Sequence, residues 1–190
     1  NREKKEFVAV SEAIETERDY LREILLPDTP PEVEAAYRSL AERAKTQEFG
    51  LIEDDVVVLD TETTGLSFSE CQLTEIAAAR LRGREIVDTF RTFVNPGMPI
   101  PKNIQALTNI TDLDVADAPT PSEAVAQLAD FVSGAPVLAH NATFDRTFIE
   151  RVPGGHDVSD LWVDTLALSR IALPRLSTHK LQDMAEAFGC

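Results

Sequence analysis

Leu59-Asp60-Thr61-Glu62-Thr63-Thr64-Gly65-Leu66 decides the fold, because the apolar run Val56 to Leu59 delivers two acids one residue apart and then breaks at a glycine. Side chains on a strand alternate with period two, so Asp60 and Glu62 point to the same face. Two carboxylates crowded there repel each other. A hard divalent cation such as Mg²⁺, which prefers oxygen ligands, is the economical counter-charge. An Asp-x-Glu alone is equally satisfied by a turn that leads into a helix cap.

A second stretch narrows the choice. His140-Asn141-Ala142-Thr143-Phe144-Asp145 follows the short apolar run Pro136 to Ala139. Phe144, Phe148, Ile149 and Val152 then recur at helical spacing, which puts Asp145 in the first turn of a helix. The helix dipole favours an acid at that place for purely structural reasons.

With both stretches in view, the chain resembles the DEDD 3′–5′ exonucleases of the DnaQ-like group, typified by the proofreading subunit of bacterial DNA polymerase III. Asp60-Thr61-Glu62-Thr63-Thr64-Gly65 looks like that family's first motif and His140 to Asp145 like its second. Between them, Ala106-Leu107-Thr108-Asn109-Ile110-Thr111 is similar to the family's Leu-Thr-Gly-Ile-Thr segment, with Asn109 at the usual glycine. Asparagine tolerates left-handed backbone better than most residues, so the exchange need not distort the loop. The resemblance covers roughly residues 51 to 190.

The resemblance implies an α/β, RNase H-like fold, a mixed five-stranded sheet flanked by helices. It implies two Mg²⁺ or Mn²⁺ ions held by Asp60, Glu62 and Asp145 for in-line displacement at phosphorus. The implied activity releases nucleoside 5′-monophosphates from single-stranded 3′ ends, of DNA in proofreading or repair, alongside a polymerase or another replication or repair partner. Backbone amides of Thr63, Thr64 and Gly65, with Thr108, Asn141 and Phe144, are the implied substrate contacts. RNA trimming by the same chemistry stays open, because the contact that reads a 2′-hydroxyl is not legible.

The family's third motif, His-x4-Asp or Tyr-x3-Asp, has no match. His179 and Asp183 have suggestive spacing, but Leu181, Met184, Ala185 and Phe188 pattern that stretch as the amphipathic helix that precedes the motif. The missing acid and general base are expected beyond Cys190, and the activity of this chain is expected to be reduced. Two other classes compete. Haloacid dehalogenase-like phosphatases also place two acids after a buried strand, yet Glu62 is one methylene too long for their acid/base and Lys102 and Lys180 lack the required context. A non-catalytic binding module with this fold is the other; retention of all three acids weighs against it.

Composition sets outer limits. A chain of 190 residues, 43% hydrophobic, supports one sizeable core and an appendage. It has no apolar stretch of membrane-spanning length, and a cytoplasmic location without membrane contact is expected. Cys71 and Cys190 suggest neither a disulfide framework nor a zinc site. A net charge of −15 is unusual for a protein that grips phosphate, and fits one that holds a few nucleotides at a strand end through metal ions.

Residues 1 to 50 read as a helical appendage and 51 to 190 as the nuclease core. Phe7, Val10, Ile14, Leu21, Ile24 and Leu25 form one helical stripe. Val33, Ala36, Tyr37, Leu40 and Ala44 form another, with Thr29 as its cap, Pro31 in its first turn and Glu32 completing a capping box. Leu73 to Leu81 and Ile86 to Val94 predict a hairpin turning at residues 82 to 85. Helices follow around residues 104 to 107, 124 to 132 and 165 to 171, and strands at 137 to 139 and 161 to 163. Arg80, Arg82 and Arg84 read as a solvated strand edge, and Asp164 with Thr165 as a helix cap.

Overall fold

The computed structural model describes residues 18–46, 55–83 and 85–189. These described residues divide into two compact units, one lying within residues 50–169 and one lying within residues 1–49 together with 170–190. Among the described residues no helix is long and apolar enough to cross a membrane.

The larger unit is built on a five-stranded mixed sheet in the order β3-β2-β1-β4-β5. β1 (Asp55–Thr63), β2 (Leu73–Arg82) and β3 (Glu85–Phe93) run antiparallel, while β4 (Val137–Ala139) and β5 (Trp162–Asp164) extend the sheet in parallel from β1. This is the RNase H-like arrangement. Alternation along β1 works as its sequence requires: Val57 and Leu59 are buried in the core, and the even residues face the other way. The β2–β3 hairpin turns where expected, with Gly83 at φ +62°.

One face of the sheet is covered by two helices of this unit; earlier in the chain come α1 (Tyr20–Ile24) and α2 (Pro31–Thr46) of the other unit, then α3 (Lys102–Thr108) and α4 (Asp112–Val115). α5 (Pro121–Val132) buries Ala124, Val125, Leu128 and Val132, and α6 (Ala142–Glu150) buries Phe148 and Ile149, against Val57, Leu59, Ile76, Ala78 and Val137. Each such fully buried aliphatic side chain contributes about 2 kcal/mol. α5 starts where Thr120 and Glu123 form a reciprocal capping box ahead of Pro121. Its far end is closed by Arg80, which donates to the carbonyls of Phe131 and Val132 and pairs with Asp55 at 2.6 Å. Arg80 is therefore not on a solvated edge: its aliphatic stem crosses apolar surface and its head finds orphan helix carbonyls. Arg84 lies outside the described residues.

The second unit holds α1 (Tyr20–Ile24), α2 (Pro31–Thr46) and α8 (Leu181–Phe188), with Leu21, Leu25, Tyr37, Leu173, Leu176 and Ala187 in its core. The division falls at Ser169, within the residues of α7 (Thr165–Ala172). Residues after Ser169 group with these helices: Leu26 N donates to Arg175 O at 2.9 Å and Ser177 N to Ile24 O at 2.7 Å. Phe7, Val10 and Ile14 lie outside the described residues. Thr29 does not cap α2: its hydroxyl donates to Leu26 O at 2.6 Å, closing a turn before the helix begins at Pro31.

Candidate active site

Asp60 and Glu62 stand on the sheet face away from the α5–α6 core, beside Val58, which is 40% exposed. The register sets Ala77 across from Asp60 and Glu75 across from Glu62, so a third carboxylate shares this face. Glu75 is held by Arg91, whose Nε donates to its Oε1. Asp145 arrives from the first turn of α6 and is only 3% exposed. Its Oδ1 accepts a hydrogen bond from Thr61 Oγ1 at 2.7 Å. Thr61, the residue between the two acids, thus points into the core side and ties Asp145 to the strand that carries them.

The electrostatics are uniform in sign. Burial pushes the Asp145 carboxyl up to about 6 against the Thr61 hydrogen bond, and repulsion from Asp60 adds to it. Burial also raises Glu62, followed by the charges of Asp60 and Glu75. Asp60 keeps a side open to solvent, yet the protein packed around it raises its carboxyl too, with Glu75 contributing. No cationic side chain contributes to any of the three shifts. Among the described residues no three of His, Cys, Asp and Glu converge closely enough to hold an ion. In chemistry the set does fit one, being all-oxygen, mutually repelling and without a cation of its own.

The expected substrate contacts fall in three places. Thr63 and Thr64 are buried, and the loop uses their polar groups itself: Thr64 N donates to Gln72 O at 2.8 Å and Gly65 N to Thr63 Oγ1 at 3.4 Å. These two amides brace the turn and do not stand free. Gly65 adopts φ +155°, and a Cβ there would meet Cys71 Sγ at 2.9 Å, so glycine is required. Thr108 donates to Ile104 O and accepts from Ile110 N, ordering the loop in which Asn109 takes φ +58° as its sequence allows. Asn141 is also left-handed, at φ +71°; its side chain makes no cap bond, while its amide donates to Asp164 Oδ1 at 3.0 Å. Phe144 is half-buried against the core.

Neighbouring groups are structural. His140 Nδ1 meets Thr165 Oγ1 at 3.1 Å. Asp164 accepts the amides of Leu166 and Ala167, as a cap should. In the other unit Asp183 accepts from Thr178 Oγ1 at 2.8 Å near the start of α8. Sequence reasoning missed Thr61 and Glu75. The signal for Glu75 was available, an acid inside the apolar run of β2 opposite the Asp-x-Glu; that for Thr61 was only its place between two acids.

Comparison with known proteins gives three findings. The exonuclease family model matches residues 57–190. The DNA polymerase III PolC-type of Caldanaerobacter subterraneus subsp. tengcongensis is 42% identical over 139 residues, which is 72% of this chain and 10% of that protein; the chain spans about a tenth of the length of such relatives. A solved structure of exonuclease X in complex with 5′ overhanging duplex DNA is 27% identical with a TM-score of 0.57, covering 69% of this chain and 71% of that one. E. coli exonuclease I in complex with an oligonucleotide, at 15% identity, TM-score 0.64 and coverage of 72% and 36%, shares the fold.

Proposed function

The chain belongs to the DEDD exonuclease family, 3′–5′ exonucleases of DnaQ-like type, and from that premise we propose that it hydrolyses single-stranded DNA from the 3′ end, releasing nucleoside 5′-monophosphates in proofreading or repair. Membership sets aside the phosphatase reading. The observation that carries the proposal is the placement of three acids on or beside one strand: Asp60 and Glu62 lie on one face of β1, and Asp145 is hydrogen-bonded to β1 through Thr61.

Asp60, Glu62 and Asp145 would hold Mg²⁺ or Mn²⁺. Two such ions supply a Lewis acid at the phosphoryl oxygens and a water of lowered pKa. The protein's own part is orientation and charge. Raised carboxyl pKa values mean that these acids carry destabilised negative charge, which favours divalent cations over water. Thr108, Asn141 and Phe144 are proposed to meet the terminal sugar and base, with Gly65 permitting close backbone approach. A polymerase is the proposed partner, since the matched relatives are polymerases.

Paired 5′-labelled DNA and RNA oligonucleotides, incubated with Mg²⁺ or Mn²⁺, test the reading. Stepwise shortening from the 3′ end of DNA, lowered about 10³-fold or more in Asp60→Ala, is expected, because several kcal/mol of charge stabilisation go with the metal site. Preference for RNA would move the substrate class within the same chemistry. Absence of both hydrolysis and cooperative Mn²⁺ uptake in calorimetry would leave a non-catalytic module.

A further inference from the structure

Two rows of side chains cross the open face of the sheet in register. One runs Asp60, Ala77, Arg91 over β1, β2 and β3, and the next runs Glu62, Glu75, Phe93. Opposed residues on paired strands point to the same side of a sheet, so Glu75 stands between Glu62 and Phe93. The methyl group of Ala77 fills little of the space between Asp60 and Arg91, and these two line one shallow cleft with Val58 and Ala79. Arg91 turns along the face into the neighbouring row: its Nε donates to Oε1 of Glu75, and its guanidinium lies 5.6 Å from the centroid of the Phe93 ring. The pair is lopsided, the Glu75 side chain being 12% exposed and that of Arg91 69%. Glu75 is therefore the inner member, and its Oε2 has no donor among the described residues.

On structural grounds alone a glutamate at this place is unfavourable. Like charges directly opposite on paired strands repel, and Glu75 faces Glu62 across β1 and β2. Its charge is felt at both Glu62 and Asp60. The ion pair with Arg91 offsets little of this, because Arg91 stands mostly in solvent. A neutral strand former such as threonine or valine would serve β2 better. The repulsion is relieved when a cation stands among the acids. We infer that Glu75 is a positioning residue of the cation site: fixed by Arg91, its carboxylate accepts hydrogen bonds from the hydration shell of a divalent ion held by Asp60, Glu62 and Asp145. The inference rests on the nuclease reading and adds an outer carboxylate to it. Mg²⁺ gives up its waters reluctantly, and the waters it keeps need acceptors. Groups outside the ligand set orient that set and tune its affinity. Arg91 occupies Oε1 and so restrains the carboxylate, leaving Oε2 as the acceptor.

Mn²⁺ binding to the whole chain, followed by loss of the electron paramagnetic resonance signal of free Mn²⁺, tests this without turnover. Glu75→Gln is expected to raise the Mn²⁺ Kd about ten- to a hundredfold, as loss of an outer-shell partner does. Glu75→Asp keeps the charge but withdraws the carboxylate by one methylene, and should lose affinity to a similar degree. In EDTA, Glu75→Gln should melt at or above the wild-type Tm, because repulsion from Glu62 goes with the charge. A lowered Tm with unchanged Mn²⁺ Kd would make Glu75 a strut for Arg91 and overturn the inference. Wild-type affinity in Glu75→Asp would overturn it too, leaving Glu75 as a source of negative field alone. If wild type takes up Mn²⁺ and Glu75→Gln matches it, the inference fails while the nuclease reading stands. A wild type that takes up none overturns both.

Discussion

Asp145 concentrates the energetic conflict of the site in one side chain. It is buried, it carries a carboxyl raised to about 6, and its side chain accepts a hydrogen bond from the neutral hydroxyl of Thr61. An acid whose folded pKa exceeds its unfolded value binds more protons in the native state, so metal-free stability falls as pH rises from about 4 to about 6 and stays low above that. Asp145→Asn keeps an acceptor for Thr61 and removes the charge. In the metal-free protein at pH 7 it is expected to raise stability by on the order of 2–3 kcal/mol and to flatten the decline of Tm between pH 4 and 6 relative to wild type. Added Mn²⁺ should raise the wild-type Tm and leave the variant's nearly unmoved. A wild-type Tm that climbs through that window in step with the variant would refute the assignment of buried charge. Thr61→Val, which leaves Asp145 without its donor, is expected to cost roughly 1–3 kcal/mol in thermal or urea unfolding; a cost near zero would show that the carboxyl finds another partner.

At the scale of elements, the position of Asp145 depends on the junction where β4 enters α6. Asn141 there adopts left-handed backbone, and its amide is held by Asp164 at the end of β5. The same carboxylate caps α7 through Leu166 and Ala167. Burial opposes its ionised form, but the amides of Asn141, Ala167 and Leu166 prevail and hold it below its ordinary value. The sign is opposite to that of Asp145: this contribution is present above the unfolded pKa near 4 and lost as pH falls below it. Asp164→Ala should cost about 1–2 kcal/mol at pH 7, as a lost cap does, with a smaller cost at pH 3 and a lower rate of nucleotide release. Equal destabilisation at both pH values would show that packing, not charge, is lost. Such junctions mark where sequence stops being informative. The β1 alternation, the hairpin and the left-handed Asn109 were legible because each rests on neighbours in the chain. The Thr61–Asp145 bond joins residues 84 apart, and Arg80 closes a helix end 51 residues away. Neither pattern exists until α5 and α6 have packed on the sheet.

For the whole molecule, charge and site are in tension. Phosphate binding normally draws on Lys and Arg, and here 33 acids outweigh 18 bases. Many of the described cations are also engaged by carboxylates: Arg38 by Asp19 and Glu34, Arg80 by Asp55, Arg91 by Glu75 and Arg146 by Glu150. Few are left to neutralise a long backbone, and the net field repels one. On the proposed function, affinity would come from divalent ions at the acids and from contacts to one or two terminal nucleotides. It follows that log Kd for a short single strand should change with log salt with a slope of about 2 or less, because only a few counterions are released. Internal duplex should bind far more weakly, and shortening of long strands should be distributive, the protein leaving after one or a few steps. Anisotropy titrations between 50 and 200 mM KCl, in Ca²⁺, provide the slope, and a trap of unlabelled strand added after initiation reports the run length. A slope of 6 or more, or tight binding of blunt duplex at the higher salt, would mean that a basic surface dominates recognition and that the acidic balance of the chain is irrelevant to how it holds its substrate.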